Sequence, residues 1–155
     1  MNIQVLYGTE TGNAEMLAED IVAELEADHA VAAVNLADFD PSEFDTGTLY
    51  LMVCSTYGDG ELPASAQPFA EKMAAAKPDL TGVHFGIFGM GDREYDETFN
   101  GGPATLAALM TAAGATQLGE RIAHDASGAE MAEDLAFPWA EDIVAMAGDA
   151  LGQAA

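Results

Sequence analysis

A chain of 155 residues, half of them apolar or aromatic, can bury one good core and is expected to form a single domain over residues 1–155. Its 27 acidic residues face only Lys72, Lys77, Arg93 and Arg121, a formal net charge of −23. Such a surface repels nucleic acid and anionic lipid and steers toward basic protein partners, and it equally suits a salty cytosol.

The elements follow in chain order. "IQVLY" (3–7) reads as a strand, and Met16, Leu17, Ile21 and Leu25 then recur at helical spacing. The start shows no basic n-region and no cleavage site, so an unexported chain is expected. "VAAVNL" (31–36) is a second strand; the Asp-rich "DFDPSEFDTG" after it lacks the spacing of a calcium hand and is read as a surface loop. "TLYLMVCS" (48–55) is the third strand and contains the longest apolar run, far short of the ~20 residues a bilayer span needs; no membrane insertion and a cytoplasmic location are expected. Cys54 lies in that run, as a buried and inert thiol. A helix is expected over about 65–76, a fourth strand at "VHFGIFG" (83–89), a helix over about 103–113 and a weaker fifth strand at "TQLGERI" (116–122). The last helix is expected from about 129 to 150, with Leu135, Trp139, Ile143 and Ala147 four apart and Pro138 beginning or kinking it.

Strands alternating with helices imply a parallel sheet covered on both faces, with right-handed crossovers. Ligands of such sheets bind beyond the carboxyl ends of the strands, where strand order reverses. Three strand ends carry unusual loops: "GTETGNA", "STYGDGELP" and "GMGDREYDETFNGG". With the order 2-1-3-4-5 they would lie side by side and build one site.

The first loop has the chemistry of a phosphate cradle. Thr9, Thr11 and Asn13 offer side-chain donors, Gly12 permits a tight turn, and the next helix directs its first amides and positive dipole end into the loop. Asn13 stands where a Walker A loop needs lysine, and the spacing is not GxGxxG, so nucleotide hydrolysis and a dinucleotide site are disfavoured. Tyr57 and Tyr95, set among glycines in the other two loops, are planar faces suited to sandwiching a flat aromatic ligand.

From Ile3 to the last helix the chain resembles the flavodoxin-like FMN-binding family. "TETGNAE" is similar to that family's phosphate loop, "STYGDGELP" to its loop over one ring face, and "GMGDREY" with Phe99 to its loop over the other. "KPDLTGVHFGIFGMGDREYD" and the short length are most like the MioC group, and residues 118–130 leave no room for the insertion of long-chain members. The resemblance implies a flavodoxin-like, doubly wound five-stranded parallel sheet of order 2-1-3-4-5 with helices on both faces. It also implies that Thr9, Glu10, Thr11, Gly12, Asn13 and Ala14 carry the FMN phosphate. Ser55, Thr56, Tyr57, Gly58 and Asp59 would line the isoalloxazine, with Gly91, Asp92, Tyr95, Phe99 and Asn100 closing its far side. Three residues separate Tyr95 from Phe99 where the family usually has two, and Asn100 stands where a cysteine is common.

An FMN domain without an NAD(P)H-binding module is expected to be a monomeric one-electron carrier. It would dock by its acidic surface on the basic surface of a flavin or iron–sulfur reductase, and then on that of an acceptor protein. The alternative is an FMN-dependent oxidoreductase acting on quinones or other small molecules, though only Arg93 in the three loops offers a basic group to a substrate. A phosphoacceptor receiver shares the topology but needs an acidic pair where this chain has Gly8 and Thr9, an Asp where it has Ser55, and a late lysine, of which none follows Lys77. His29, His84 and His124 have no metal spacing.

Overall fold

In a computed structural model of the chain, which describes residues 2–9, 12–55, 64–91, 101–119, 122–125 and 132–154, strands and helices alternate throughout. β1 (Asn2–Gly8) leads to α1 (Asn13–Leu25) and β2 (Ala30–Asn35). Two 3-10 turns, Leu36–Asp38 and Pro41–Glu43, precede β3 (Thr48–Ser55) and α2 (Gln67–Ala76). β4 (His84–Gly91), α3 (Gly101–Ala112), β5 (Thr116–Gln117), β6 (Ile122–Asp125) and α4 (Ala132–Ala154) follow.

Every pairing is parallel, and the order is β2-β1-β3-β4 with the fifth place shared by β5 and β6. β5 pairs with the start of β4, Thr116 opposite His84, and β6 with its end, Ile122 opposite Phe88. The expected fifth strand over 116–122 is therefore in its expected place but broken. Leu118 still donates its amide to the Phe85 carbonyl at 2.7 Å, and Gly119 at φ +67° then turns the chain off the ladder. A left-handed residue cannot continue a strand, and glycine takes that conformation without steric cost.

The strand period sorts the core into two layers. Ile3, Val5 and Tyr7 of β1 and Leu49, Leu51 and Val53 of β3 pack against Leu17, Ile21 and Leu25 of α1 and Trp139, Ile143 and Ala147 of α4. Leu6, Tyr50, Met52, Cys54, Phe85 and Ile87 face the other way, against Phe69 and Met73 of α2 and Leu106 and Met110 of α3. Both faces of the sheet are thus covered, which is why its strands read as unbroken apolar runs.

Three local readings change. Met16 belongs to the helical pattern of α1 but is 65 % exposed, because the buried stripe is Ala14, Leu17, Ala18, Ile21 and Leu25 and a residue next to Leu17 falls about 100° off it. Pro138 lies inside α4, so it does not begin that helix; it removes the amide that would bond to the Asp134 carbonyl. The Asp-rich loop is acidic outside and aromatic beneath. Phe39 is buried, Phe44 stacks edge-on against both Phe39 and Tyr50 at 4.8 Å, and Asp40 and Glu43 cap the second 3-10 turn reciprocally.

Candidate functional site

Strand order reverses between β1 and β3, since the chain leaves β1 for β2 on one side and returns through β3 on the other. The register brings the carboxyl ends together: Gly8 lies opposite Cys54, Ser55 opposite Met90, and Gly91 opposite Asp125. Three of the residues proposed from sequence, Ser55, Gly91 and, one residue past β1, Thr9, therefore stand along one edge of the sheet.

The head of α1 stands at the same edge. Gly12 is its N-cap at φ +98°, and among the described residues no side chain caps the helix. The first intrahelical bond runs from the Met16 amide to the Gly12 carbonyl at 3.0 Å. By helix geometry the amides of Asn13, Ala14 and Glu15 then have no acceptor within the helix and point outward with its positive dipole end. Among the described residues, a β-carbon on Gly12 would meet nothing within 4 Å, so they leave the space beside the helix head open. Neutral donors, a dipole and open space are what an anion without a counter-cation requires.

The approach to that head is held by a short chain of bonds. Thr9 Oγ1 accepts from the Gly12 amide at 2.8 Å, so this hydroxyl oxygen closes the turn and retains its hydrogen as a donor. The Thr9 amide donates to Ser65 Oγ at 2.7 Å, and the Ser65 amide returns a bond to the Thr9 carbonyl at 3.2 Å. Ser65 escaped the sequence reading. Its only local signal was its place just ahead of a helix with proline at its start, which marks a helix entry and says nothing of a partner 56 residues away.

Of the other residues proposed from sequence, Ala14 is fully buried in the α1 stripe and can offer only its backbone, while Asn13, Ser55 and Gly91 are placed by their backbones. Glu10, Thr11, Thr56, Tyr57, Gly58, Asp59, Asp92, Tyr95, Phe99 and Asn100 lie outside the described residues.

Two titrating groups border this edge. Tyr7 donates its hydroxyl to Glu15 Oε1 at 3.3 Å, and burial, then the Glu15 charge, raise its pKa. The bond gives the acid in the first turn of α1 a partner on β1. Burial alone pushes the Cys54 thiol up to about 12, so the cysteine next to the end of β3 is a packed core group and not a thiolate at neutral pH.

Residues 5–139 match the flavodoxin family. The chain belongs to the flavodoxin family. Protein MioC of Escherichia coli K12 is 33 % identical over 138 residues, which are 89 % of this chain and 92 % of MioC. A cysteine-to-alanine mutant of flavodoxin from Pseudomonas aeruginosa superposes with a TM-score of 0.81 at 28 % identity, covering 98 % of this chain and 99 % of that one. The sulfite reductase [NADPH] flavoprotein alpha-component of Bacillus subtilis is 36 % identical over 96 residues, 61 % of this chain but only 16 % of that protein. Flavodoxins bind FMN. The uncapped, open head of α1 fits the flavodoxin cofactor's phosphate, being built from neutral amides at the point where the strand order reverses.

Proposed function

We propose that the chain binds one FMN and serves as a one-electron carrier between a separate reductase and an acceptor protein. The observation that carries this reading is the head of α1, with three amides lacking a helical acceptor, opening beside the β1/β3 switch point of a flavodoxin sheet.

In this reading Thr9, Glu10, Thr11, Gly12, Asn13 and Ala14 hold the phosphate by backbone and hydroxyl donors. A hydrogen bond to a charged group is worth about 1.5–3 kcal/mol, so two or three supply a large share of a micromolar affinity. Ser55, Thr56, Tyr57, Gly58 and Asp59 would line one side of the ring, and Gly91, Asp92, Tyr95, Phe99 and Asn100 the other. When bound, FMN supplies the electron chemistry; the chain orients it and sets its surroundings. Residues 1–155 would act as one domain and a monomer, and the acidic surface would favour encounter with basic faces of a flavin or iron–sulfur reductase and of the acceptor.

The test is a flavin spectrum and a reduction assay on the purified protein. Expected are one FMN per chain, no oxidation of NADPH or NADH by the protein alone, and rapid reduction once a separate reductase is added. Turnover of NADH with a quinone in the absence of any reductase would overturn the carrier reading in favour of a small-molecule oxidoreductase.

A further inference from the structure

We infer that Ser65 is a positioning residue for the phosphate loop, setting how strongly the site prefers FMN to the unphosphorylated flavin. The inference rests on the phosphate-binding reading of the head of α1 and names a residue that neither the loop's own sequence nor its helix contains.

The junction of β1 with its following loop is clamped from outside. The Ser65 hydroxyl receives the Thr9 amide at 2.7 Å, and the Ser65 amide is directed to the Thr9 carbonyl at 3.2 Å, so both polar groups of the Thr9 backbone are held by one residue. The adjacent Ala66 is fully buried, and a β-carbon on Gly8 would come within 2.9 Å of Ala66 Cβ. The chain entering α2 is thus seated directly on the end of β1. From Thr9 the constraint passes on, since Thr9 Oγ1 holds the amide of Gly12, the N-cap of α1. Three hydrogen bonds in series fix both the point where the loop leaves β1 and the point where it enters the helix.

A loop that binds an anion through neutral donors gains affinity only if those donors already converge before the ligand arrives. The Ser65 hydroxyl meets the donor set only through the backbone amide of its first residue, Thr9, and takes none of the amides at the head of α1; it fixes the frame on which those donors sit. Ser65 also stands at the far end of the segment that leaves β3 at Ser55, so the same bonds join the loop after β3 to the loop after β1.

Apoprotein of the full chain, wild type, Ser65→Ala and Ser65→Thr, would be titrated with FMN and with riboflavin, with thermal melts of each variant alongside. The expected result is that Ser65→Ala weakens FMN about three- to tenfold, the loss of one hydrogen bond, while riboflavin affinity and melting change little. Ser65→Thr, which keeps the hydroxyl, should restore the preference for FMN. A wild-type preference that survives in Ser65→Ala overturns the inference, as does an equal loss for both flavins accompanied by a lower melting temperature, which would mark a merely structural contact. Wild-type protein that binds both flavins equally overturns the phosphate reading itself, and this inference with it.

Discussion

Ile143 occupies the space that a β-carbon on Gly86 would need. That carbon would lie 2.9 Å from Ile143 Cγ2, 3.0 Å from Cγ1 and 3.2 Å from Trp139 Cζ2. Ile143 and Trp139 are both buried in the layer between sheet and α4, so neither can swing into solvent. The missing side chain on β4 lets α4 lie close against the strand.

Gly86→Ala should therefore destabilise the fold by about 1–3 kcal/mol, the usual cost of overpacking a core. Ile143→Ala alone should also destabilise, by about 2–5 kcal/mol, through the cavity it leaves. The double mutant should be more stable than the sum of the two effects, since the new methyl enters the space that Ile143 vacates. Denaturant unfolding of the three variants checks this; strict additivity would mean that the two residues do not compete for the same volume.

At the head of α1 the constraint is conformational rather than steric. Gly12 has φ +98° and no neighbour within 4 Å of a would-be β-carbon, so Gly12→Ala meets no clash but adopts a strained backbone. A loss of roughly 1–2 kcal/mol is expected in thermal or chemical unfolding. Gly12→Asn should lose less, because asparagine tolerates positive φ. Equal losses in the two variants would point to a packing role that the open surroundings of Gly12 do not suggest.

Cys54 predicts an alkaline weakness. In the unfolded chain the thiol titrates near its ordinary 9.0; in the folded protein burial pushes it up to about 12. Between these values the unfolded state releases a proton that the native state keeps. The stability from this group is whole below about pH 9 and falls as pH rises toward 12, by up to about 1.4 kcal/mol per pH unit. Tyr7 and Tyr50, both raised by burial first, act in the same direction. Unfolding free energies of wild type and Cys54→Val across this range isolate the cysteine: the slope should be shallower in the mutant, with the tyrosines' share remaining. At pH 8 the native thiol should react with an aromatic disulfide reagent only after denaturant is added.

How far these residues could be read from sequence depended on whether their partners were local. β3 was legible to its ends, because a doubly covered strand is a continuous apolar run. Gly12 could be read as a turn, since it stands between a strand and a helical pattern. Met16 was misplaced because a methionine beside a leucine satisfies the helical period loosely, and only the tertiary contact decides which of the two faces inward. The aromatic underside of the Asp-rich loop stayed hidden behind its carboxylates, and the break at Gly119 behind a short segment with strand-forming ends. Ser65 could not be found by any local pattern, for its partner is set by the crossover of the whole sheet.

The charge carries one further expectation. With 27 carboxylates against four cations, self-repulsion opposes the compact state, and salt relieves it as the Debye length contracts from about 10 Å at 0.1 M to about 3 Å at 1 M. Melting temperature should rise over that range. Electron exchange with a basic partner should slow over the same range, because the attraction that guides encounter is screened as well. A salt series measured by both readouts separates the two effects; a flat melting curve would mean that the acids are spaced widely enough to ignore one another.

The break between β5 and β6 has a consequence for crowded surroundings. An outer strand with its backbone groups unpaired is a template on which another chain can lay a strand of its own. Among the described residues, that side of the sheet offers two strand residues, a left-handed glycine at 119, and then four more, so neither stretch gives an incoming strand more than four residues of ladder. The irregularity that weakens the fifth strand as a sequence signal is thereby of the kind that blunts a sheet edge against added strands.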